Sequence, residues 1–183
     1  MLKQLRGIVQ AVVSKIGGRL SNQRLIFELS APDFPAPDAA FTITSHIRPD
    51  SIPRTVLADM ESADRHILAT LRQRFSENGR LYVLTVADGR LGSFMWVKSG
   101  RDIKRWMIPL RPADWVIFGA FTPQHMRGRK LWPHAMRAAY QAEQTPDGRC
   151  FSDCGVYNAP SRSALLRQGF RVIAKAPVPA APR

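Results

Sequence analysis

Along the first twenty residues, Leu2, Leu5, Ile8, Val9, Val12, Val13 and Ile16 recur at helical spacing, with Lys3, Arg6, Lys15 and Arg19 among them. Gly17-Gly18 then breaks the run. The pattern predicts a basic amphipathic helix as an N-terminal extension over 1–20. Gln10 interrupts its apolar face and no small-residue cleavage site follows, which argues against a secretory signal. A strand is predicted over 24–29, a loop with three prolines over 31–40, and an alternating strand over 41–47. Asp50-Ser51-Ile52-Pro53 reads as a helix start, and a second helix over 64–75 closes at Asn78-Gly79. Strands over 81–86 and 91–97 flank Asp88-Gly89, a hairpin signal. A strand over 115–121 leads to a helix that holds Pro133 in its first or second turn, where proline is tolerated. A strand over 149–157, a helix over 160–168 stopped by Gly169, and a strand over 170–174 follow. The Pro- and Ala-rich tail, 177–183, is expected to fray.

This order of strands and helices is α+β. At 183 residues it fits one domain, over 21–176, long enough to bury a core. No apolar run reaches the length of a bilayer span. The net charge is +13, carried mostly by arginine, which suits bidentate contacts to phosphates and carboxylates. Nucleic acid, anionic membrane and anionic small molecules all remain open as partners, as does a merely solvated basic surface. Cys150 and Cys154 lie four apart on one face of a strand, too far apart to bridge, and read as reduced thiols in or near the core. No Cys/His cluster offers a metal site, and a cytoplasmic location is expected.

The most informative stretch is 116–140, VIFGAFTPQHMRGRKLWPHAMRAAY. A strand, a basic loop with Gly128 and a helix follow in order. The first N–H groups of a helix have no intrahelical partner, and the dipole adds positive charge there. Arg127, Arg129 and Lys130 add full charges, so a phosphate or pyrophosphate is the natural ligand. Neither a nucleoside-triphosphate loop nor a dinucleotide glycine fingerprint is present.

Together with 155–170, GVYNAPSRSALLRQGF, this loop resembles the GNAT family of acyl-CoA N-acyltransferases. The family's Gln/Arg-x-x-Gly-x-Gly/Ala loop corresponds to Gln124–Lys130, and its downstream Asn, small residue and Gly-Phe pair to Asn158, Ser161 and Gly169-Phe170. The resemblance covers roughly residues 80–172 and implies a mixed, mostly antiparallel sheet flanked by helices. Two central parallel strands, 115–121 and 149–157, would splay to admit acetyl-CoA as co-substrate. The pyrophosphate would sit on N–H groups of Met126, Arg127, Gly128, Arg129, Lys130 and Leu131. Phe121 and Thr122 would bind the cofactor, an N–H near Phe121 would polarise the thioester carbonyl, Asn158 would hold the arm of CoA, and Ser161 would contact CoA. Asn158 equally reads as a helix N-cap. Asp153 heads the candidate bases, before His125 and Asp114, and Tyr157 or water would return a proton to CoA.

The chain departs from the family pattern twice. Lys130 stands at the second loop glycine, and Leu165 stands where the family often has a proton-donating Tyr. The acceptor implied is a small primary amine. Lys98, Arg101, Lys104, Arg105 and Arg111, with Trp96 and Trp106, suit an anionic one such as a nucleotide-linked amino sugar. The alternatives are a CoA-binding domain without catalysis, or, resting on charge alone, a nucleic-acid-binding protein. Residues 1–18 are expected to pack on the domain, to mediate a homodimer, or to lie on an anionic membrane surface.

Overall fold

Period-2 alternation is what gives this molecule two hydrophobic layers. In the strand Arg80–Val86, Tyr82, Leu84 and Val86 face one core while Leu81 and Val83 face another, and all five are buried. Burying each such side chain is worth about 1.5–3 kcal/mol, so a sheet covered on both faces is the stable outcome. The computed structural model describes residues 22–63 and 67–179. The N-terminal helix expected over 1–20, with its packing, dimer and membrane readings, lies outside the described residues, as do the first residues of the helix expected over 64–75.

The strands are β1 Gln23–Leu29, β2 Phe41–His46, β3 Arg80–Val86, β4 Leu91–Ser99, β5 Trp115–Phe121, β6 Cys150–Gly155 and β7 Phe170–Pro177. The helices are α1 Arg54–Ala63, α2 Ile67–Ser76, α3 Leu131–Glu143 and α4 Ala159–Arg167. One sheet runs β2-β3-β4-β5-β6-β1-β7, antiparallel throughout except between β5 and β6, which are parallel. On one face, Leu131, Ala135, Met136 and Ala139 of α3 pack with Leu165 of α4 against Tyr82, Leu84, Met95 and Ile117. On the other, Val56, Met60, Ile67 and Leu71 of α1 and α2 cover Leu81, Val83, Phe94 and Trp96.

Most boundaries fall within a residue or two of the sequence reading, and three differences have a clear local reason. β1 inserts between β6 and β7, and its ladder carries β7 on to Pro177, opposite Gln23. The chain beyond is held for one more residue, where the Val178 N–H donates to the Asn22 carbonyl at 2.9 Å. β6 starts at Cys150, because the N–H of Arg149 donates to the Asp114 carboxylate at 3.1 Å. It ends at Gly155, where the Asn158 N–H closes a turn on the Gly155 carbonyl at 2.9 Å, and Tyr157 lies in that turn.

Asp114 clamps the starts of β5 and β6 together. Its side chain is fully buried and takes hydrogen bonds from the N–H groups of Arg111 and Arg149 and from both guanidinium groups. Burial pushes this carboxyl up, but those bonds outweigh it and hold the pKa at about 2. Asp114 therefore stays charged and structural, at the opposite end of β5 from the feature described next.

Candidate functional site

β5 and β6 separate after a short ladder. Trp115, Val116 and Ile117 pair with Cys150, Phe151 and Ser152, and the pairing stops there. The Ser152 hydroxyl bridges the fork, donating to the Ile117 carbonyl at 3.1 Å. On its other side β5 carries a bulge: Phe94 pairs with Phe121 and Trp96 with Phe118, so Gly119 and Ala120 together oppose Met95. Gly119 has φ of +57°, a left-handed conformation that glycine adopts without strain. A bulge leaves its extra residue out of the ladder. The sequence reading had 115–121 as a continuous strand, and the lone glycine in VIFGAF was the available signal for the bulge.

The fork opens a cavity of about 640 Å³. Its walls include Phe118 to Thr122 on β5 and beyond, Ser152, Asp153 and Cys154 on β6, and Trp132, Pro160, Ser161, Ala164 and Leu165 from the helices. Among the expected site residues, Phe121, Thr122, Arg127, Asp153, Asn158 and Ser161 line it. Asn158 also acts as the N-cap, its side-chain oxygen accepting from the Ser161 N–H at 3.2 Å. Tyr157 is 69% exposed and does not line the cavity. Leu165, at the place of the family's Tyr, is buried in the cavity wall.

The loop beyond β5 holds two left-handed residues just before α3. Gln124–Met126 form a single 3-10 turn, in which the Met126 N–H donates to the Pro123 carbonyl at 2.9 Å. Gly128 has φ of +81° and Lys130 of +55°. Lys130 is the N-cap residue of α3 and makes no side-chain capping bond. The N–H groups of Gly128, Arg129 and Lys130 reach no described backbone carbonyl. Alternating left-handed residues make a concavity of N–H groups of the kind that binds anions. Arg127 folds back, its Nε donating to the Thr122 carbonyl at 3.2 Å, and Arg129 donates to the Met126 sulfur at 3.0 Å. Met126 and Leu131 are buried, so any contact they make with a ligand is through backbone. His125 is exposed on the same turn.

Two polar cavity residues missed from sequence stand out. Arg24, on β1, reaches across to pair with Asp153 on β6. The register that places Arg24 opposite Gly155 joins segments far apart in the chain, and no local pattern announces it. Burial pushes the Asp153 carboxyl above the ordinary range, and the Arg24 guanidinium pulls it part of the way back. Trp132, in the first turn of α3, lines the cavity with a buried indole N–H that has no hydrogen-bond partner among the described residues.

Behind the bulge lies a smaller cavity of about 260 Å³. Met60 and Ala63 of α1, Ile67, Thr70 and Arg74 of α2, and Phe94 of β4 line it, together with Gly119, Ala120 and Phe121. These last three residues bound both cavities, so the bulge is the wall between them.

No protein-family model and no curated protein sequence matches the chain. Solved structures do match it. One described as a GNAT-family acetyltransferase from Novosphingobium aromaticivorans DSM 12444 superimposes with a TM-score of 0.57 at 18% identity, over 84% of this chain and 61% of that one. A tandem GNAT protein from the clavulanic acid biosynthesis pathway gives 0.61 at 14% identity, over 92% and 56%. This chain has the GNAT fold. A GNAT-family acetyltransferase from Colwellia psychrerythraea gives 0.60 at 9% identity, over 84% and 53%. The chain thus spans between 53% and 61% of the length of these three proteins. The GNAT arrangement expected from the two motifs, a mixed sheet with one parallel, splayed pair, is the arrangement found.

Proposed function

We propose that the protein is an acyl-CoA-dependent N-acyltransferase, with acetyl-CoA as donor and the primary amine of a small acceptor as nucleophile. The observation that carries this reading is the fork between β5 and β6, which opens a cavity lined as far as Thr122 and Arg127, next in sequence to the left-handed residues Gly128 and Lys130. A long thioester with a pyrophosphate near one end fits a cleft of that form. Its phosphates suit the unpartnered N–H groups at the start of α3 with Arg127 and Lys130. Its arm suits the backbone that β5 and β6 leave unpaired, with Asn158 and Ser161 alongside. The Trp132 N–H is a further donor in need of a partner.

The chemistry is a direct transfer. The amine lone pair attacks the thioester carbonyl carbon, a C–N bond forms, the C–S bond breaks, and the thiolate of CoA leaves. Holding amine and carbonyl in attack geometry supplies most of the gain. A bulge N–H between Gly119 and Phe121 stabilises the developing oxyanion. The amine proton passes to Asp153, directly or through one water, and its raised pKa suits a base better than an ordinary carboxylate. Tyr157 faces solvent, so water is the proposed source of the proton that CoA thiolate takes up.

The basic connection between β4 and β5 supports a nucleotide-linked acceptor less than its composition does. Trp96 is buried and stacks on Phe118, Lys98 pairs with Glu77, and Arg111 is tied to Asp114. Arg101, Lys104 and Arg105 are what remains of that case. A second reading, a CoA-binding domain without catalysis, is favoured by Leu165 in the cavity wall. Calorimetry with acetyl-CoA, followed by release of free thiol over a panel of amines, separates the readings. Binding with turnover supports transfer, binding with no turnover supports the second, and no binding removes both.

A further inference from the structure

The smaller cavity has mostly apolar walls, Thr70, and one charge. Arg74, near the end of α2, lies half-buried over the rings of Trp96 and Phe118, its guanidinium carbon 5.4 and 5.3 Å from their centroids. A Cβ placed on Gly119 would come within 2.3 Å of its Nη1, so the guanidinium rests on the bulge itself. Among the described residues no carboxylate forms an ion pair with it. Glu77, one turn on, is engaged by Gln73 and Lys98. Glu77 attracts the guanidinium only at a distance beyond an ion pair, and burial outweighs that attraction and lowers the Arg74 pKa, so a guanidinium taken partly out of water without a hydrogen-bonded carboxylate costs free energy. Stacking offsets only part of that cost.

We propose, on the acyltransferase reading above, that the acceptor is an apolar amino acid or close analogue, and that Arg74 receives its carboxylate. A guanidinium matches a carboxylate through two parallel hydrogen bonds. One positive charge balances one negative charge, so a carboxylate fits better than a phosphate dianion. Met60, Ala63, Ile67 and Phe94 suit an apolar side chain and offer nothing to a sugar. The volume, below the roughly 300–1,000 Å³ of drug-sized pockets, suits a small molecule. Because Arg74 touches Gly119, and Gly119 to Phe121 also wall the donor cavity, a carboxylate held there keeps its amine at the bulge only if few bonds separate the two groups. That is the geometry of an α- or β-amino acid. Gly119 is then required twice, for its left-handed backbone and for the space that the guanidinium occupies.

The test pairs L-phenylalanine and L-leucine with the amines that lack only the carboxylate, phenethylamine and 3-methylbutylamine. With the intact protein and acetyl-CoA, kcat/KM should favour the amino acids by roughly 10–100-fold, the usual worth of a charged hydrogen-bonded contact. In Arg74→Met, which keeps an apolar chain over the two rings, that preference should vanish through KM, and Arg74→Lys should restore part of it. Equal or better use of the decarboxylated amines by the wild type overturns the proposal. Calorimetric titration of the same four compounds, with and without CoA, reads the site even if no transfer occurs. An Arg74-dependent preference for amino acids without turnover keeps this subsite and sinks the enzymatic reading. Turnover of amines with no such preference does the reverse. Acetyl-CoA affinity of the variants reports whether the donor side has stayed intact.

Discussion

Two cavities meet at Gly119, Ala120 and Phe121, and they are built on different principles. The larger faces α3 and α4 and is shaped first by backbone, a fork between strands and a bulge, with a loop of left-handed residues beyond its Arg127 end. The smaller faces α1 and α2 and is made largely of side chains, most of them apolar, with Thr70 and one guanidinium among them. Backbone sites suit a ligand that is the same in every reaction, because N–H and C=O geometry follows from the fold. Side-chain sites suit the partner that differs from enzyme to enzyme, because residues on α1 and α2 can change without disturbing the sheet. The difference teaches where each kind of perturbation should register: on the donor side as affinity for CoA, on the acceptor side as selectivity, and at the shared wall as rate.

The largest effect should come from Asp153, the one titratable side chain common to the fork and the proposed chemistry. Asp153→Asn is expected to lower kcat by about 10²–10⁴-fold, the usual worth of a general base, with acetyl-CoA affinity changed little. The base works deprotonated and its pKa is raised, so the wild-type rate should climb with pH on an acid limb lying above the ordinary carboxylate range. Asp153→Asn should lose that limb. For stability the sign is opposite. A carboxyl whose folded pKa is raised favours the fold while protonated, and that contribution fades as pH rises through the folded value. A full-rate Asp153→Asn enzyme would hand the base role to water.

Next comes the shared wall. Gly119→Val must place a branched side chain at φ of +57° and at 2.3 Å from Arg74. The expected outcome is a rate loss of about 10²-fold, the usual result of an ångström-scale misplacement near the reacting atoms. Acetyl-CoA binding should survive, because the cradle lies beyond Phe121. If calorimetry shows binding lost in step with rate, the two cavities are not the separable units that the comparison assumes.

The local geometry of the proposed donor side was legible in the sequence and that of the proposed acceptor side was not, and the reason is locality. A cradle of N–H groups needs a strand, left-handed residues and a helix start in immediate succession, so Gln124 to Leu131 carries its own description. The hairpin at Asp88-Gly89, the stop at Gly169 and the strand Trp115–Phe121 were equally local. Arg74 was one arginine among many on an amphipathic helix; it matters because α2 packs over the bulge, which only the tertiary structure places there. Arg24 needed the insertion of β1 between β6 and β7. Trp96 invited a reading as a ligand-stacking ring, yet alternation along β4 turns it into the core under α2. Tyr157 was assigned to a strand that in fact ends at Gly155, and the turn that follows carries it out to solvent.

A smaller effect is expected at Gly128, whose φ of +81° is costly for any residue with a β-branch. The space around its missing Cβ is open, so a side chain there meets backbone strain and no clash with neighbouring atoms. Gly128→Val should therefore weaken acetyl-CoA about tenfold, from backbone strain of roughly 1–3 kcal/mol and obstruction of the phosphate approach. The preference among acceptors should stay as in the wild type. Unchanged affinity in a folded variant would detach the loop from the donor cavity.

The smallest effect is expected at Lys130, where the family pattern has glycine and where two contributions oppose each other. Its φ of +55° lies in the left-handed region, which costs an L-residue about 1–2 kcal/mol relative to its preferred conformations. Glycine removes that strain but gives the unfolded chain more freedom, so Lys130→Gly should gain at most about 1 kcal/mol. For a chain of this length that is a rise of roughly 2–4 °C in Tm. Binding runs the other way. The lysine makes no capping bond and no ion pair with a described residue, which leaves its ammonium available to the phosphates. Its loss should weaken acetyl-CoA a few-fold at low salt, and the deficit should shrink as salt screens the exposed charge. A variant that is more stable and binds as tightly at every ionic strength would show that Lys130 only fits beside the phosphates, and that the cradle holds them by backbone alone.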